Sequence, residues 1–95
     1  MSLFSSSLAL TKFVLLILMV DFDDISAAIR RELPDADVTI QDMSGGGDHL
    51  QVNVVSTAFD GLPLIRQHQL IYGVLKDELA SEAIHALALN TATPN

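Results

Sequence analysis

The chain contains no cysteine. That excludes disulfides, thiolate metal ligands and cysteine nucleophiles, so any metal site must draw on His, Asp, Glu or ligands brought by a partner. Tryptophan is also absent, and four Phe and one Tyr are the only aromatic residues, which leaves Leu, Ile, Val and Ala to fill the core. Basic residues are few: 5 Lys and Arg stand against 12 Asp and Glu, a net charge of −7. A phosphate-binding surface needs clustered cations, and Arg30-Arg31 is the one adjacent basic pair, so sequence-independent nucleic-acid binding is disfavoured. Long hydrophobic runs are missing too. Phe13 to Val20, FVLLILMV, is apolar throughout, and Leu8 to Leu10 lies upstream of it beyond Thr11 and Lys12. Even together these fall short of the ~20 residues that cross a bilayer.

What is present suits one small domain. Ninety-five residues at 49% apolar content make a modest core, and that content is too high for a disordered chain. Residues 1–20 read as an apolar extension upstream of a domain covering residues 21–95, with an extra helix or strand as the alternative. They make a poor secretory signal, because no cation precedes Lys12 and no small-residue cleavage site precedes Asp21. No membrane association is expected, and cytoplasm is the default location.

From Asp21 the elements follow in clear order. Asp21 to Asp24 opens a helix, and Phe22, Ile25, Ile29 and Leu33 recur at spacings of three and four until Pro34 ends it. Asp37 to Asp42 reads as a strand with Val38 and Ile40 on one face. Met43 to Asp48, with Gly45, Gly46 and Gly47, reads as a long, mobile hairpin connection. Leu50 to Val55 is the second strand; Leu50, Val52 and Val54 face the core, and Gln51 and Asn53 face away. Ser56 or Thr57 caps a short turn through Phe59. Pro63 then starts a longer helix whose inner face is Leu64, Ile71, Leu75 and Leu79, with Val74 beside them and Arg66, Gln67 and Gln69 exposed. Ile84 to Asn90 is the third strand and residues 91–95 a tail.

This α-β-β-α-α-β order predicts an α+β fold. A strand, helical crossover and return strand favour parallel pairing of strands two and three. Parallel strands begin on the same edge of a sheet, so His49 and His85 should share that edge, beside the glycine loop. Neutral imidazole is a common ligand for borderline metals, and two histidines make half of a four-ligand site. The alternative readings are a hydrogen-bonded strand-end residue for His85 and a solvated surface residue for His49. His68 borders the packed helix face, where it can stack on Tyr72; partner contact is its second reading. The loop is no phosphate-binding loop, because neither Lys-Ser nor Lys-Thr follows it. Nor do a nucleophile, base and orienting acid stand at recognisable spacing.

Three stretches, HLQVNVVSTAFDGL, RQHQLIY and IHALALNTATP, make the chain from Asp21 to Pro94 resemble the BolA family. The resemblance implies the α-β-β-α-α-β fold related to class II KH domains, with a three-stranded mixed sheet covered by helices on one face. It implies a non-enzymatic adaptor that binds a monothiol glutaredoxin and shares a [2Fe-2S] cluster with it in iron–sulfur trafficking or iron sensing. None of that cluster is expected in the isolated protein, a monomer or weak homodimer. The family's cluster-ligating histidine falls on His85. Its second ligand, a loop Cys or His, falls on Gly47 in the cysteine type and on His49 in the histidine type, which this chain matches. Glutaredoxin and glutathione thiolates would supply the rest. Imidazole ligands should raise the cluster's potential, as in Rieske centres. Gly45, Gly46, Gly47, Arg66 and His68 are the expected partner contacts. The alternatives are a KH-like transcriptional regulator that contacts nucleic acid through Arg66 and His68, and a metal-free interaction module.

Overall fold

Asp21 starts the first element of the structure, a computed structural model that describes residues 21–95. The expectations for residues 1–20 lie outside the described residues. The Asp21 side chain accepts a hydrogen bond from the Asp23 N–H at 2.8 Å, capping helix α1 (Phe22–Glu32). Asp23 and Asp24 in the first turn and Arg30 and Arg31 in the last complement the helix dipole. Ile25, Ile29 and Leu33 are buried along one stripe, as the spacing predicts.

Three strands follow: β1 (Asp37–Asp42), β2 (His49–Val55) and β3 (Ala86–Ala92), in the spatial order β1-β2-β3. β1 pairs antiparallel with β2, from Asp37 opposite Val55 to Asp42 opposite Leu50. β3 pairs parallel with β2, from His49 opposite Ala86 to Val55 opposite Ala92. This is the parallel pairing expected of a helical crossover. The central strand carries the core: Leu50, Val52 and Val54 are buried, while Val38, Ile40, Leu87 and Leu89 on the flanking strands are half-buried against them. The other face is polar. Asn53 Nδ2 donates to Thr39 Oγ1 at 3.1 Å, and Asn90 Nδ2 donates to Asn53 Oδ1 at 2.9 Å, giving a ladder across all three strands. One apolar and one polar face mean that the helices cover a single side of the sheet.

Between β2 and β3 run a 3-10 turn (Thr57–Phe59), helix α2 (Leu64–Val74) and the short helix α3 (Lys76–Ala80). Phe59, Ile71, Leu75 and Ile84 from this segment join Ile25, Ile29 and Leu33 in the core. The short turn expected through Phe59 is a 3-10 turn capped by Ser56, and the long helix breaks at Leu75, which caps α2. Pro63 lies just before α2 with extended backbone.

Three expectations need correction. β3 begins two residues later than its sequence suggests and runs on through Thr91 and Ala92, into the stretch expected to be a tail. Ile84 is buried in the preceding turn, where its N–H donates to Glu78 O at 3.1 Å. Leu64 is exposed rather than inward-facing. Gln67 is not free either: it donates to Leu62 O at 2.9 Å and accepts from Thr91 Oγ1 at 2.7 Å. Periodicity assigns residues to a helix face, but not how far that face extends along the sheet.

A second tie joins the two ends of the β-hairpin. Asp35, just after Pro34, accepts from Ser56 Oγ at 2.6 Å, Thr57 N–H at 2.8 Å and Thr57 Oγ1 at 2.7 Å. Ser56 is fully buried and its hydroxyl also accepts from the Ala58 N–H, so one side chain caps the 3-10 turn and holds Asp35. The Ser56 hydrogen bond foremost, then those of Thr57, lower the Asp35 pKa from 3.8 to about 2. Between those values the unfolded chain binds more protons than the folded one. The stabilisation is therefore complete above the unfolded value of 3.8 and is lost as pH falls through about 2. Urea unfolding across the acid range should show a decline that Asp35→Asn flattens. Identical acid profiles for the two proteins would refute this role.

Candidate metal-ligating edge

The site is built where the hairpin loop meets the start of β3. Asp42 folds the loop back on itself: its Oδ1 accepts from the N–H groups of Ser44 at 3.2 Å and Gly45 at 2.9 Å. Ser44 Oγ in turn donates to Asp48 Oδ1 at 2.9 Å and lies 3.2 Å from the Gly46 N–H. The Met43 N–H closes the hairpin on His49 O at 2.7 Å. Gly45 and Gly47 adopt left-handed backbone, with φ of 80° and 79°. The connection that the sequence suggests is mobile is thus laced by the Asp42, Ser44 and Asp48 side chains.

Asp48 O accepts two backbone hydrogen bonds, from His85 N–H at 2.7 Å and from Ala86 N–H at 3.1 Å. This junction sets His85 beside His49, the first residue of β2. Their rings stack with centroids 6.1 Å apart and planes inclined by 24°. Both residues are exposed. His85 Nδ1 lies 3.1 Å from Glu82 O. A carbonyl can only accept, so this contact places the proton on Nδ1 and leaves Nε2 of the neutral ring with a free lone pair. Such a backbone tie is what commonly orients a metal-ligating imidazole. His49 Nε2 is 4.0 Å from Asp48 Oδ2. The Ser44 hydrogen bond, and less strongly the charge His49 and His85 carry when protonated, hold the Asp48 carboxyl below its ordinary value.

The shared edge anticipated for His49 and His85 is therefore present. Among the described residues no group of three or more His, Asp or Glu side chains could hold a metal ion, so the pair offers two donors and no more. Gly47 adjoins open space, but its φ of 79° strains any residue with a Cβ.

Arg66 and His68 lie elsewhere. Arg66 is exposed and contacts Gln69 at 3.4 Å; His68 sits edge-on to Tyr72, with centroids 6.4 Å apart. Gln67 between them bonds Thr91, which follows His85 by six residues, roughly 20 Å of strand. The Arg66–His68 face is thus separate from the histidine edge. Sequence reasoning missed Glu82, whose left-handed φ of 62° ends α3 and aims its carbonyl at His85. Nothing in Ser81-Glu82-Ala83 signals that conformation, because glycine is its usual occupant. Ser44 and Asp48 were missed too, although an Asp followed two residues later by Ser is a turn signal.

Fold and edge together define a small α+β domain with a mixed three-stranded sheet, helices on one face and a paired-histidine rim. A family described as BolA-like protein matches residues 18–95, and the chain belongs to the BolA family. It is 38% identical over 52 residues to the acid stress protein IbaG of Escherichia coli K12, covering 55% of this chain and 62% of that one. It is 38% identical over 68 residues to BolA-like protein 3 of Saccharomyces cerevisiae, covering 70% of this chain and 56% of that one. The chain thus spans less than two thirds of the length of either relative. Among solved structures, BolA1 from Arabidopsis thaliana superposes with a TM-score of 0.70 at 30% identity, covering 76% of this chain and 89% of that one. The BolA domain of SufE1 from the same plant gives 0.68 at 35% identity, with coverage of 75% and 88%. Among the described residues no helix is long and apolar enough to cross a membrane.

The two left-handed residues flanking the histidines should respond in opposite directions. Gly47→Ala adds only backbone strain and should cost about 1–2 kcal/mol. Glu82→Gly removes such strain at some cost in chain entropy, and should be neutral or stabilising by up to about 1 kcal/mol. Chemical denaturation of both variants checks this; a stabilising Gly47→Ala would contradict the loop geometry.

Proposed function

We propose that this protein is a non-enzymatic adaptor that binds a monothiol glutaredoxin and shares a [2Fe-2S] cluster with it, in iron–sulfur trafficking or iron sensing. The observation that carries this reading is the exposed, stacked pair of His49 and His85, with His85 held by Glu82 so that its Nε2 is available. Two imidazoles and no thiolate give a donor set that needs another molecule to complete it, which suits a cluster divided between two proteins. His85 would be the more fixed ligand, because its backbone N–H is tied to the Asp48 carbonyl and its ring Nδ1 to the Glu82 carbonyl. His49, on the first residue of β2, would supply the loop-side ligand, and the turn formed by Gly45, Gly46 and Gly47 would form the adjoining partner surface. When bound, the cluster would supply one-electron chemistry and a transferable iron–sulfur unit. Arg66 and His68, on the distant face, would lie outside this contact.

The test is a titration into a cluster-loaded monothiol glutaredoxin with glutathione, followed by visible circular dichroism. A new cluster spectrum should form with the unaltered protein and be lost in both His49→Ala and His85→Ala. Loss in His85→Ala alone would remove His49 from the ligand set. An unchanged spectrum throughout would leave a metal-free interaction module. DNA binding, the other reading that the KH-like topology allows, is disfavoured by a chain of charge −7 with 5 Lys and Arg against 12 Asp and Glu.

A further inference from the structure

The antiparallel ladder of β1 and β2 runs one step beyond the strands. Met43, the residue after β1, donates its N–H to His49 O at 2.7 Å, which continues the register in which Asp42 stands opposite Leu50. Met43 is therefore directly opposite His49. Opposed residues of such a pair project from the same face of the sheet, with Cβ atoms about 5 Å apart. Here it is the open, polar face, because Thr39 and Asn53, an opposed pair in phase with Met43 and His49, are bonded across it.

Met43 is 62% exposed. It fills no gap in the core, and its thioether can turn on three rotatable bonds without loss of packing. His49 thus lies between two neighbours, Met43 on the β1 side and the stacked ring of His85 on the β3 side. Two imidazoles that share one metal ion, at about 2 Å per metal–nitrogen bond, have centroids about 5–6.5 Å apart. The observed 6.1 Å lies in that range, so side-chain rotation, chiefly of His49, brings both rings to one ion. Glu82 already holds His85 with Nε2 open, and His49 Nε2 stands 4.0 Å from Asp48 Oδ2, beyond a hydrogen bond.

We infer that Met43, His49 and His85 form a binding site for a soft monovalent metal ion, copper(I), in the protein without a partner. The third donor decides the metal. Among the described residues no further His, Asp or Glu joins the two imidazoles, and zinc draws its ligands from Cys, His, Asp and Glu. A thioether is a soft donor suited to copper(I), and imidazole suits the same ion. Two nitrogens and one sulfur make a three-coordinate site without a cysteine. Asp42 and Asp48 flank the loop, and the field of a chain at −7 favours a bound cation. The ion and an iron–sulfur cluster would compete for the same imidazoles. The site nonetheless stands on the geometry of the edge and does not depend on the glutaredoxin reading.

Anaerobic titration of the full chain with copper(I) against a colorimetric copper(I) chelator, with the methionine methyl resonances followed by NMR, tests this. One ion should bind per chain, and the Met43 methyl should shift while those of Met1 and Met19 stay in place. Met43→Leu keeps the size of the side chain and removes the sulfur donor. It should weaken copper(I) binding about tenfold or more with an unchanged far-ultraviolet spectrum. His85→Ala should do the same, and Met19→Leu should have no effect. An unmoved Met43 methyl would overturn the inference, as would equal affinity in Met43→Leu or loss of binding in Met19→Leu. If the unaltered protein forms the glutaredoxin cluster yet fails to compete for copper(I), this inference alone falls. Copper(I) uptake without any cluster spectrum would sustain it and end the cluster reading.

Discussion

The backbone carbonyl of Asp48 accepts from two successive amides, His85 at 2.7 Å and Ala86 at 3.1 Å, and the parallel ladder runs from that point to Ala92. Register in a sheet admits no small error, because a slip of one residue exchanges the two faces. Here the same junction that puts Leu87 and Leu89 on the core side also sets the His85 ring against His49. Core packing and the chemical edge therefore rest on one constraint. Neither can shift without the other.

Around that junction the structure uses side chains to fix backbone that has little regular secondary structure. Asp42, Ser44 and Asp48 tie the glycine loop before it, while Glu82 accepts a left-handed backbone to close α3 and hold His85 after it. Asp35 and Ser56 make a comparable tie at the other end of the hairpin, where no histidine is involved. Buried Ser56 shows that this second tie serves the fold. The strain at Glu82 differs in kind: its carbonyl serves the exposed imidazole, and strained backbone is often retained where a side chain must be oriented.

Membership of the BolA family accounts for the element order and for the likeness to plant BolA domains. It does not by itself decide which residues act. That question turns on a donor count: two imidazoles on one rim and no cysteine anywhere in the chain. A chain with that inventory offers two imidazole donors on one rim.

Much of the fold was legible in the sequence because it rests on local rules. The stripe from Phe22 to Leu33, the alternation in β2, the Ser56 cap and the three-glycine turn each follow from side-chain period or backbone freedom over a few residues. The helical crossover extended those rules to a parallel pairing, and with it to a common edge for His49 and His85. Tertiary structure alone decided the rest. The start of β3 depended on a carbonyl more than thirty residues away, Leu64 turned outward while Gln67 bonded Thr91, and Glu82 took a backbone conformation that its sequence does not announce. Periodicity reports which residues share a face, whereas ladder register and helix placement minimise the energy of the whole packed assembly. The ring separation at the histidine edge belongs to that second class, since it is set by the contacts of two strands and a turn together.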